Sequence, residues 1–114
     1  MANATGIICK AAALKSIAAG SIGASYAAIG TQFGRPISFL IVQNLTDASL
    51  MFSFTSNTDH FVLPASGQLV LDVATNKAFG DGLFFAVSTI LYVKRIGTPT
   101  TGSVYVSTFY GDSQ

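Results

Sequence analysis

The chain has no Glu and no Trp, one Cys and one His, and only 10% of its 114 residues are charged. Soluble proteins average about 25% charged residues. Each shortage removes a class of function. With Cys9 alone, no intramolecular disulfide and no multi-cysteine metal centre can form, and folding inside a cell is the simplest reading. Cys9 lies beside Ile7 and Ile8 with only Lys10 as a nearby charge, which suits a small buried hydrophobe better than an activated thiol. Six basic residues against five Asp leave a net charge of +1, too little to draw the chain onto nucleic acid or an anionic membrane. The longest strongly apolar run, Leu83 to Val93, falls short of the roughly 18 residues a membrane helix needs. No membrane partner is expected.

What remains is 50% hydrophobic and 11% aromatic, which excludes disorder and suits one domain with a real core. A surface with so few charges is expected to be largely covered by copies of the chain or by partners. Lys10 and Lys15 followed by Ser16 to Ala28 loosely imitate a signal peptide. Against that, the lysines come late and Gly20 and Gly23 interrupt the apolar part, while Ile17, Ile22, Tyr26 and Ile29 suit short strands. Residues 1–29 are therefore read as an arm or a set of first strands that subunits can exchange, and residues 30–114 as the main β-sandwich domain. The Ala-rich stretch Lys10 to Ala19 is the single tempting helix, ended by Gly20.

From Pro36 onward the apolar period is two. Ile37 to Gln43 reads as a strand, then Asn44-Leu45-Thr46-Asp47 as a turn, then Leu50, Phe52 and Phe54 on one face of a second strand. Thr55 to Asp59 is a polar turn, His60 to Leu63 a short strand ended by Pro64, and Gln68 to Val73 another alternating strand. Asn76 to Gly82 reads as a loop, Leu83 to Val87 and Ile90 to Ile96 as strands. Gly97 to Gly102 makes a hairpin connection to Val104 to Tyr110. With strands near Ile7 and Tyr26, this predicts an all-β antiparallel sandwich of about eight short strands, jelly-roll-like, although an immunoglobulin-like order shares the pattern. Phe39-Leu40-Ile41-Val42 and Leu83-Phe84-Phe85 are apolar on both faces, so their outer faces are expected to meet another subunit.

The chemistry is sparse. Asp59 and His60 are adjacent, but neighbours on one strand point to opposite faces and cannot share a hydrogen bond in the usual acid–base manner. No Gly-x-Ser-x-Gly elbow supports a serine triad. His60 reads better as a cap on the Asn57 to Asp59 turn or as a subunit contact than as the base of a small hydrolase. Asp47, Asp59, Asp72, Asp81 and Asp112 are scattered, and Gly80-Asp81-Gly82 reads as a tight turn before it reads as an ion ligand. No metal, no cofactor and no catalytic residue is expected. Lys94-Arg95 beside Tyr92 suits a charge-protected edge strand, or an ion pair with an Asp across a subunit boundary, better than a nucleic-acid contact. The glycosylation sequons at Asn3 and Asn44 carry little weight in a Ser- and Thr-rich chain.

Ile41 to Phe54, with Thr58-Asp59-His60-Phe61-Val62-Leu63-Pro64-Ala65, Leu71 to Lys77 and Leu91 to Val106, resembles the small β-sandwich structural proteins of tailed bacteriophage virions. The likeness spans roughly Ser16 to Gly111 and contains no catalytic signature. It implies a non-enzymatic virion protein, assembled in the host cytoplasm, that decorates or cements the capsid or sits in the head–tail neck. Its partners would be its own copies, in a trimer or a ring, and other capsid or neck proteins. Phe33, Arg35, His60, Tyr92, Lys94 and Arg95 are the interface candidates, since aromatic and Arg residues are enriched at contacts. The alternative is a carbohydrate-binding adhesion module using Asn76 or Phe79.

Overall fold

The computed structural model describes residues 7–34, 37–72, 85 and 88–113. Among the described residues nine strands run in chain order: β1 (Ile7–Ala11), β2 (Lys15–Ala18), β3 (Ala27–Ala28), β4 (Phe39–Asn44), β5 (Leu50–Ser53), β6 (Phe61–Leu63), β7 (Gln68–Asp72), β8 (Tyr92–Arg95) and β9 (Ser103–Ser113). One sheet has the order β1-β9-β4-β7 with β2 also on β9, and the other has the order β3-β8-β5-β6. All pairings between these strands are antiparallel. Successive strands cross repeatedly between the two sheets, which is the double Greek key of a jelly roll. The expected all-β sandwich is the observed one.

The N-terminal segment is built into both sheets. β1 and β2 lie end to end along β9, with Ala11 opposite Phe109 and Lys15 opposite Val106. Residues 12–14 thus face residues 107–108, a one-residue bulge that divides what would be one long edge strand. The expected helix over Lys10 to Ala19 is absent. Helix propensity favours Ala by less than about 1 kcal/mol per residue, and the ladder to β9, with Ile17 against the core, outweighs it. Only Ala19–Ser21 coil, as a single 3-10 turn. Ile22 and Ile29 from the same segment are core residues. Of the strand expected over Leu83 to Val87, Phe85 alone is described, and it bridges Ile37.

The period-two pattern does what it should where both neighbours are strands. Leu40 and Val42 of β4 and Val104 and Val106 of β9 point inward and are fully buried, meeting Leu50 and Phe52 of β5 and Val93 of β8. Phe52 stacks on Phe61 of β6 at 4.9 Å. Full burial of such side chains stabilises by about 1.5 to 3 kcal/mol each.

One end of the sandwich is closed by a polar hub. Asn44 is fully buried at the end of β4. Its Nδ2 donates to the carbonyls of Ala48, Leu63 and Pro64 at 2.9, 3.1 and 3.0 Å. Its Oδ1 accepts from the Thr46 amide at 3.0 Å and the Thr46 hydroxyl at 2.6 Å. One side chain thereby fixes the β4–β5 and β6–β7 turns. Beside it Gly102 has φ +84°, and a Cβ there would stand 2.0 Å from the Leu45 carbonyl oxygen, so only Gly fits.

Candidate interface surfaces

Alternation gives each sheet an outer face, and the two faces differ in chemistry. On the five-stranded sheet the outward positions are Phe39, Ile41 and Gln43 of β4, Tyr105, Ser107 and Phe109 of β9, and Gln68, Val70 and Asp72 of β7. Phe39 and Phe109 are direct cross-strand partners whose rings meet edge to face at 5.5 Å. Ile41 sits between Ser107 and Val70, and Val70 is 47% exposed. Asp72 is the single charge among these outward positions. A face washed by water normally carries polar side chains at such positions. The doubly apolar reading of Phe39 to Val42 thus has a structural counterpart, with Leu40 and Val42 in the core and Phe39 and Ile41 outside.

The outer face of the four-stranded sheet carries a charged network instead. Lys94 leaves β8 outward beside Met51, and its Nζ lies 3.2 Å from Asp59 Oδ1 in the turn after β5. The Tyr26 hydroxyl, just before β3, donates to the same oxygen at 2.5 Å, and Lys94 Nζ stands 4.7 Å from the Tyr26 ring centroid. The network ties three chain segments together at the surface. Desolvation of the half-buried phenol, with the Asp59 bond and charge adding to it, pushes Tyr26 up to about 12. The Tyr26 hydrogen bond, then Lys94, holds the Asp59 carboxyl below the usual range.

The six residues singled out from sequence separate on this framework. Phe33 is 2% exposed and belongs to the core, edge to face with Phe85 at 6.3 Å, so its ring is spent on internal packing. Arg35 lies outside the described residues, as do Asn76 and Phe79 of the glycan-binding alternative. Tyr92 and Lys94 share the outward side of β8, and Arg95 ends that strand exposed. β8 lies between β3 and β5, so it is no edge strand, and the ion pair of Lys94 is made within the chain. His60 caps a turn, as its position after Asn57 to Asp59 suggests. Its Nδ1 accepts from the Phe54 amide at 3.0 Å, and its ring rests 5.8 Å from that of Phe54.

Three features were not visible from spacing. The Asn44 hub looked like an ordinary turn, and the burial of Asn44 also removes its sequon from use by a glycan. Asp47 accepts from the Thr100 amide at 2.8 Å and hydroxyl at 2.5 Å and from the Thr101 amide at 3.3 Å, clipping the β4–β5 turn to the β8–β9 connection. These bonds, the Thr100 hydroxyl foremost, lower its carboxyl to about 2. Tyr26–Asp59 joins residues 33 apart in sequence. Turn composition alone does not say which distant turn a carboxylate will meet.

Among the described residues no three potential metal ligands gather, and no helix is long and apolar enough to cross a membrane. Comparison with protein-family models, with curated proteins and with solved structures found no match.

Proposed function

We propose that the chain is a non-enzymatic structural subunit of a tailed bacteriophage virion, decorating the capsid or forming part of the head–tail neck, and that it works through contacts between copies. The observation that carries this reading is the outer face of the five-stranded sheet, where Phe39, Ile41, Phe109 and Val70 stand outward and Asp72 is the single charge among the described outward positions of β4, β7 and β9. Loops fastened by Asn44 and Asp47 support it, because a preorganised surface loses less entropy on association. The resemblance of Ile41 to Phe54 and Leu91 to Val106 to virion sandwich proteins supplies the setting. The one His acts as a turn acceptor, which suits an assembly role.

Light scattering on the purified chain over a range of concentrations tests it. The expected result is a defined homo-oligomer, with a small one favouring capsid decoration and a large ring favouring the neck. Ile41→Lys, which places a charge at the centre of the outer face without touching the core, should shift the population to single chains. A single-chain mass at every concentration refutes the reading.

A further inference from the structure

Among the described residues the two sheets end in four edges, and three of them carry features that discourage strand addition. The β1–β2 edge is broken by the bulge at residues 12–14 and carries Lys10 and Lys15. β3 has two residues. β6 has three and runs into Pro64. β7 differs from all of these. It is five residues long, Gln68-Leu69-Val70-Leu71-Asp72, with no Pro, no Lys and no bulge in its register to β4.

The register also says which backbone groups that edge presents. The Asn44 amide donates to the Gly67 carbonyl, so Gly67, Leu69 and Leu71 direct their peptide groups toward β4. Gln68, Val70 and Asp72 direct theirs outward, where no strand stands among the described residues. The sequence of this edge is nearly the same read in either direction about Val70. A second copy placed across a two-fold axis at Val70 would set Val70 against Val70, Leu69 against Leu71, and Gln68 against Asp72. The three outward residues then form three hydrogen-bonded antiparallel pairs. The carboxylates stay apart, each opposite an amide that can donate to it.

We infer that β7 is the seam between two copies of this chain, joined edge to edge into one continuous sheet. The seam adjoins the Ile41 and Phe39 face, since Val70 belongs to both. The inference rests on the self-assembly proposed above and adds to it a definite symmetry. An isologous contact joins copies in pairs, so the assembly contains an even number of chains, as a dimer or as a ring of pairs.

Amide hydrogen exchange on the full chain, read beside its mass, tests this. In the assembled protein the amides of Gln68, Val70 and Asp72 should be slowed as strongly as those of Leu69 and Leu71, by about 100-fold or more over unprotected amides. Val70→Pro removes an outward N–H without breaking a bond to β4, and should halve the mass of a dimer while the circular dichroism stays that of a folded sheet. Val70→Lys, which sets two like charges on the axis, should do the same and decides the matter if the proline variant fails to fold. An assembled chain whose Val70 amide exchanges freely, an odd-numbered assembly such as a trimer, or a folded variant that keeps its full mass overturns the seam while leaving the assembly reading standing. Protection of Val70 that persists in single chains overturns it too, because the edge is then covered from within. A chain that never assembles removes both.

Discussion

Replacing Asn44 by Ala tests whether the sandwich end depends on one side chain. The truncation strands two deeply buried groups, the Leu63 carbonyl and the Thr46 amide. The carbonyls of Ala48 and Pro64 are partly buried and can turn to water. A buried polar group left without a partner costs about 1 to 3 kcal/mol, so two of them, with minor losses at the rest, give roughly 4 kcal/mol. Domains of this size are stable by about 5 to 15 kcal/mol, which makes the loss a large share of the whole. In urea, with a slope of about 1.5 kcal/mol per molar, the midpoint should fall by roughly 2 to 3 M. Asn44→Asp separates donors from volume. It keeps the shape and the acceptor but turns a carboxylate oxygen toward three carbonyls, so it should cost at least as much as Ala. A loss below about 1 kcal/mol for Asn44→Ala, or an Asp variant close to wild type, would refute the hub.

Gly102→Ala should destabilise by more than about 2 kcal/mol in the same urea assay, because a left-handed conformation strains any L side chain and the new Cβ meets the Leu45 carbonyl. Thr108→Val should be neutral or stabilise by about 1 kcal/mol, since the Thr108 hydroxyl is buried without a hydrogen-bond partner among the described residues; a clear loss on thermal melting would show that it has one. Asp47 is lowered in the folded chain to about 2 from 3.8, so the stability it adds is present above about pH 4 and lost as pH falls toward 2. Asp47→Asn should therefore melt below wild type at neutral pH and converge on it in acid, and a difference constant down to pH 2 would contradict the clip.

The architecture was legible because its signal is local. β5 and β7 alternate so regularly that Leu50 and Phe52, and likewise Leu69 and Leu71, declare a shared face from sequence, whereas β4 is apolar at every position from Phe39 to Val42 and only the fold shows Leu40 and Val42 to be its inward pair. Strand order was not legible, because antiparallel sandwiches of different order share the same period and turns. The Lys10 to Ala19 stretch misled for the converse reason. Its composition favours a helix, and only the partner strand β9, some ninety residues away, turns it into a strand. Phe33 shows the limit of composition at a site, since an aromatic beside Gly34 looks the same whether it fills a core or a contact.

The charges that remain legible in the fold explain why the sheet faces differ. Asp47 is committed to the Thr100 and Thr101 amides, and Asp59 and Lys94 to each other and to Tyr26. These charges fasten turns at the ends and on the four-stranded sheet, and Asp72 is the single charge among the described outward positions of β4, β7 and β9. A surface of that kind cannot steer a partner from a distance, since steering needs charge that is left over from internal bonds. The assembly proposed above would then rest on shape and strand pairing, which act only at contact. The same economy that makes the chain poor in chemistry suits the proposed self-assembly, in which the β7 edge and the Ile41 face meet their own copies.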